Sequence, residues 1–339
     1  MFQAMGKIRF VFCFVLLLLW GGRPGYAKAP GDSTALPPFL PLHAALPELL
    51  AFSGPTVHPD SASCIIPFSR AGNLILIKAR ADTTEGNFIL DTGASDLVLN
   101  ITYFRHYPKT HTSGQTQTNA TGSSQSVIKT EVRKLNFGTL KFVRAKADLV
   151  NLGHLENSKG VKILGLLGMA LFRQCEMIID YERNLIFLHV VSKKEANTYK
   201  SDQLQDSSAY REVPIYFKED KLVTRTELAG RKLEFIIDSG AETNLLDSRL
   251  PDKVFDNVTV TGRIMLTGTG NRKVEALQGL LENLMIGRQN VQNMQVIITN
   301  FERTCFSYSG CVNGVLGFDF LSRQKIGFNF VKNKMYLWK

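Results

Sequence analysis

Motifs for several common chemistries are missing. No Cys-x-x-Cys pair occurs among the five cysteines, so the chain offers neither a zinc knuckle nor a thioredoxin-like redox pair. No Gly-x-Ser-x-Gly turn is present, which removes the usual serine-hydrolase elbow. The six histidines, His43, His58, His106, His111, His154 and His189, are scattered without metal-ligand spacing and read as surface or linker residues. The apolar run at residues 10–20 is too short to span a bilayer. Basic residues outnumber acidic ones by 40 to 30, yet they are dispersed, which argues for a solvated surface and against a nucleic-acid interface.

What the sequence does carry begins with an address. Lys7 and Arg9 lead into the apolar run, and Gly25, Tyr26 and Ala27 place small residues where a signal peptidase cuts. Residues 1–27 therefore read as a signal peptide, the mature chain as periplasmic or extracellular, and no membrane span is expected after cleavage. Loss of Lys7, Arg9 and Arg23 leaves a net charge of +7. Cys13 lacks preceding small residues, so a lipoprotein anchor is not expected. Residues 28–63, rich in proline and alanine, read as an extended linker or a propeptide.

Four cysteines remain in an oxidising setting. Cys305 and Cys311 bracket a short loop and are the favoured disulfide; Cys64 and Cys175 either form a second bridge or are free buried thiols.

At 339 residues the chain has room for two lobes around a cleft, and it repeats itself. The apolar run Phe88-Ile89-Leu90 ends in Asp91-Thr92-Gly93-Ala94-Ser95 and a second apolar run, Leu97-Val98-Leu99. The pattern returns as Phe235-Ile236-Ile237, Asp238-Ser239-Gly240-Ala241-Glu242 and Leu245-Leu246, with the two aspartates 147 positions apart. Each reads as two buried strands joined by a tight turn, with a carboxylate where an isolated charge would be costly. Leu166-Leu167-Gly168 follows 77 residues after Asp91, and Val315-Leu316-Gly317 follows 79 after Asp238. Asp180 and Asn329 stand at matching places before the closing strands and read as structural turn residues. The halves run over residues 64–191 and 210–339, joined by the polar stretch 192–209.

These motifs resemble the active-site turns of aspartic proteases of the retropepsin and pepsin group. The resemblance covers nearly everything after the linker. It implies a mostly β, bilobal acid-protease barrel fold built from two tandem repeats, with one catalytic aspartate per lobe, Asp91 and Asp238, and no cofactor or metal. A peptide or protein would be the substrate, and one chain would suffice for catalysis. In such enzymes the residue after each aspartate cross-links the two turns, a role that falls on Thr92 and Ser239. Gly93 and Gly240 would let backbone N–H groups reach the carboxylates. Gly-rich tips at residues 113–123 and 261–271 suggest hairpins, with Gly122, Gly268 and Gly270 as flap residues.

Two departures matter. Pepsin-like enzymes usually place a hydroxyl residue after the glycine to favour the ionised carboxylate, whereas both lobes here carry alanine, Ala94 and Ala241. Raised dyad pKa values and a mildly acidic optimum are therefore expected. Retroviral enzymes carry an arginine after the Leu-Gly motif, where Met169 and Phe318 stand here, so their substrate contacts do not transfer to Ser95 and Glu242. The competing expectation is a secreted peptide- or protein-binding molecule that keeps this fold without turnover.

Overall fold

The computed structural model describes residues 56–59, 62–118, 124–218, 220–267, 273–301 and 311–339. Residues 1–27, read above as a signal peptide, most of residues 28–63, the hairpin tips with Gly122, Gly268 and Gly270, and Cys305 lie outside the described residues.

The chain is mostly β and folds as two lobes with one plan. Strands Leu74–Ala81 and Lys221–Leu228 have the same length and the same burial pattern, four buried residues and then alternation. Period-two alternation puts one face in the core; at the fully buried start Leu74 clusters with Ala94 of its own lobe's turn, whereas Lys221 reaches the Gly93 carbonyl of the opposite lobe. Each strand then reverses through residues with positive φ, Asp82 at 51° in one lobe and Ala229 at 53° in the other. The returning strands, Thr84–Leu90 and Arg231–Ile237, pair antiparallel with them and end in three buried apolar residues.

Beyond each aspartate turn lie Leu97–Asn100 and Asn244–Asp247, buried throughout. A third strand slots between the arms. Gly165–Leu167 runs parallel to Thr84–Leu90 and antiparallel to Leu97–Asn100, and Gly314–Leu316 does the same in lobe two. Glycine is needed because a Cβ on Gly168 would stand 2.1 Å from the Asp96 carbonyl oxygen, and one on Gly317 2.4 Å from that of Thr243. Phe88 and Phe235, both fully buried, pack over Gly165 and Gly314. Burying such a ring contributes about 2–3 kcal/mol.

A six-stranded sheet joins the lobes, in the order Tyr210–Lys218, Lys334–Trp338, Ile326–Asn329, Cys175–Asp180, Leu185–Val190, Ser63–Pro67. Ile178 pairs with Gly327, its counterpart in the repeat, so the pseudo-twofold axis passes between these two strands. Asp180 Oδ1 accepts from the Arg183 N–H at 2.9 Å and Asn329 Oδ1 from the Lys332 N–H at 2.8 Å. Asn184 and Asn333 then both adopt φ of 54°, so the two closing hairpins begin with the same turn.

The stretch 192–209 packs on this sheet: Tyr199 stacks on His189 at 3.6 Å, and Leu204 joins Ile178, Tyr210 and Tyr336 in a buried cluster. Thr56–Pro59, inside the segment read as a linker, pairs with Leu140–Val143 at the edge of lobe one.

The possible Cys64–Cys175 bridge is not formed; both thiols are free and buried. Their strands flank Leu185–Val190 on opposite sides, two strand spacings or roughly 10 Å apart, beyond disulfide reach. Burial pushes the Cys175 thiol up to about 12. Cys311 is disulfide-bonded, and its expected partner Cys305 falls outside the described residues.

Candidate active site

The two turns meet at the lobe interface. Asp91 and Asp238 are each 1% exposed, and each is held by the strand behind it: the Asp91 N–H donates to the Leu167 carbonyl at 3.1 Å and the Asp238 N–H to that of Leu316 at 3.0 Å. The structure thus brings together two acids that are 147 residues apart.

Glycine is required at both turns by close approach across the interface. A Cβ on Gly93 would lie 2.2 Å from Asp238 Oδ2, and one on Gly240 2.6 Å from the Asp91 carboxyl carbon. Asp91 Oδ1 accepts from the Gly93 and Ala94 N–H groups, both at 2.9 Å, and Asp238 Oδ1 from Gly240 at 2.7 Å. Asp91 Oδ2 is buried and receives no hydrogen bond from the amides or hydroxyls of the described residues. The Asp238 carboxyl lies within hydrogen-bond contact of Asp91, so one proton shared between them satisfies both.

The residues after the aspartates form a reciprocal clasp. Thr92 Oγ1 donates to the Ile237 carbonyl at 2.9 Å and accepts from the Ser239 N–H at 2.9 Å. Ser239 Oγ donates to the Leu90 carbonyl at 2.8 Å and accepts from the Thr92 N–H at 3.0 Å. All four bonds cross between lobes and are buried, which fixes the distance between the carboxylates.

Both carboxyls are held above the usual carboxylate range. Burial is the main cause at each, and for Asp91 the neighbouring Asp238 charge adds to it. Two acids this close titrate as a pair, with a range of pH over which the pair carries one proton and one charge.

Two lysines at the site did not stand out from the sequence. Lys221, 1% exposed, reaches from lobe two and donates to the Gly93 carbonyl at 2.5 Å, with Ser95 Oγ at 3.4 Å. Lys159, at the end of helix Gly153–Lys159 in lobe one, pairs with Glu242 at 2.5 Å. Aligning the repeat would have flagged Lys221, because lobe one places Leu74 at the head of the matching strand. Nothing local marks Lys159. Ser95 and Glu242, for which no substrate role carried over, are thus each approached by a lysine of the opposite lobe.

The two hairpins are present as Thr110–Thr118 with Ser124–Phe137, and Val258–Thr267 with Lys273–Ile286. Among the large apolar side chains on them, Val260 and Met265 are more than half exposed.

Comparison with known proteins follows the same two-part division. Residues 77–171 match a family model described as aspartyl protease, and residues 224–323 match one described as gag-polyprotein putative aspartyl protease. Each match contains one aspartate turn and its Leu-Gly strand. No curated protein matches the chain in sequence. Among solved structures, the basic 7S globulin from soybean is similar, with 9% identity and a TM-score of 0.43, covering 81% of this chain and 94% of its own. Conglutin gamma, a basic 7S globulin from lupine seeds, has 10% identity and a TM-score of 0.44, with 83% and 95% covered.

Proposed function

The chain belongs to the retropepsin-like aspartic protease family, and on that premise we propose that it is an exported endopeptidase, periplasmic or extracellular, that hydrolyses peptide bonds with a water activated between Asp91 and Asp238. The supporting observation is the pair of buried carboxyls in mutual contact, held in register by the Thr92–Ser239 clasp. The positively charged start and apolar run at residues 7–20 support export.

The chemistry follows from the shared proton. The ionised carboxylate takes a proton from the attacking water while the protonated carboxyl hydrogen-bonds the scissile carbonyl oxygen. The resulting tetrahedral species collapses as a dyad proton passes to the leaving nitrogen and the C–N bond breaks. One carboxyl is again protonated and the other ionised at the end of the cycle. A single chain supplies both acids, so catalysis needs no second copy.

The test is incubation with a diverse peptide library across pH, read by mass spectrometry. Cleavage is expected to peak at mildly acidic pH, because burial raises the dyad and the alanines after each glycine bring no hydroxyl to lower it. A statine-type transition-state mimic should inhibit it, and Asp91→Asn or Asp238→Asn should lower turnover by at least about 10³-fold. A maximum at about pH 2 contradicts the pH assignment. Peptide affinity without products identifies a non-catalytic binder of the same fold.

A further inference from the structure

The strands that lead toward the two aspartate turns match in burial but not in side chains. Leu74–Ala81 and Lys221–Leu228 share length and burial pattern, yet the first buried place holds leucine in lobe one and lysine in lobe two. Leu74 sits in an apolar cluster with Ile89, Ala94 and Val98. A buried ammonium in place of an apolar side chain is costly unless an anion offsets it.

The geometry points to Lys221 as the resident countercharge of the dyad: its ammonium pairs with the single negative charge shared by Asp91 and Asp238 and keeps the pair in its one-proton state. This rests on the reading that the dyad is the reactive centre. Two observations carry it. Lys221 is buried against the lobe-one turn, and its Nζ donates to the Gly93 carbonyl. That carbonyl belongs to the same peptide unit as the Ala94 N–H, which donates to Asp91 Oδ1. An ammonium on the oxygen end of a peptide polarises the N–H end, so the cation acts on Asp91 both through space and through a two-bond relay.

Other charges among the described residues also face the ammonium. Burial acts most strongly on Lys221 and lowers its pKa; Asp91 and Asp238 oppose that most, followed by Asp220 and Asp96. Asp220 is partnered by Arg173 at 2.8 Å. Asp96 lies 3.4 Å from Lys129, which pairs with buried Asp148 at 2.6 Å.

This arrangement offers a substitute for a missing feature. The alanines at 94 and 241 bring no hydroxyl to the carboxylates, so stabilisation of the anion falls to backbone N–H groups and to Lys221. Lys221 opposes the burial that raises both carboxyls, so its removal should raise them further and move both limbs of the pH–activity bell upward.

The experiment is a ¹³C NMR titration of the aspartate carboxyl carbons in the wild type, Lys221→Leu and Lys221→Arg, beside pH–rate profiles. Lys221→Leu copies the residue of lobe one. Both dyad midpoints are expected to rise by about one pH unit or more in Lys221→Leu and to stay near wild type in Lys221→Arg. Unchanged midpoints in Lys221→Leu overturn the inference. Should that variant not fold, titration of the Lys221 ε-carbon in the wild type decides: a charged ammonium throughout the one-proton range is expected, and a neutral amine there overturns the inference. The carboxyl titration needs no turnover, so absence of cleavage by the wild type defeats the peptidase reading alone.

Discussion

Lobe one and lobe two agree in backbone and differ in charge. Both turns hang from a Leu-Gly strand by one N–H···O bond, and both place a glycine against the opposite carboxyl. Each lends its hydroxyl residue to the clasp. The lysines break the symmetry: lobe two sends Lys221 to the Gly93 carbonyl, and lobe one sends Lys159 to Glu242. Asp91 accepts two turn N–H bonds within its own lobe, while Asp238 accepts one from Gly240. Duplicated geometry positions the acids, and unduplicated side chains set how they hold charge.

The largest effect expected from probing this symmetry is at the glycines. Gly93→Ala and Gly240→Ala each drive a methyl into the facing carboxyl, so kcat/KM should fall by at least about 10²-fold in both. Steady-state kinetics on one peptide checks this, and a large loss in one variant with near-normal turnover in the other breaks the symmetry. A smaller effect is expected at the clasp. Thr92→Val and Ser239→Ala each delete two buried inter-lobe bonds and leave a backbone N–H and a carbonyl without their partner, costing about 2 kcal/mol of stability. Urea unfolding should show similar losses for the two variants, and Thr92→Ser should be milder because the hydroxyl stays. A loss confined to one side would mean that the clasp supports the lobes unequally.

How much was legible in the sequence follows the same division. The two turns, the clasp residues and Gly168 and Gly317 were readable because each is a short local motif imposed by the backbone: a Cβ or a missing hydroxyl is felt within a few residues. Lys221 was not, since its meaning depends on the Gly93 carbonyl 128 residues away. The Lys159–Glu242 pair likewise joins residues 83 apart. The even count of cysteines suggested a second bridge, but Cys64 and Cys175 sit on strands separated by Leu185–Val190, a spacing set by the sheet order. That sheet forms because Cys175–Asp180 and Ile326–Asn329, the first strands of the two closing hairpins, pair edge to edge, with Ile178 facing Gly327.

The central claim is that the two aspartates hold one proton between them, and counting protons at these carboxyls tests it most directly. Difference titration of the wild type against the Asp91→Asn, Asp238→Asn double variant should show two well-separated ionisations, with one proton held across mildly acidic pH. Two carboxyls ionising independently at about pH 4, as ordinary side chains do, would contradict it.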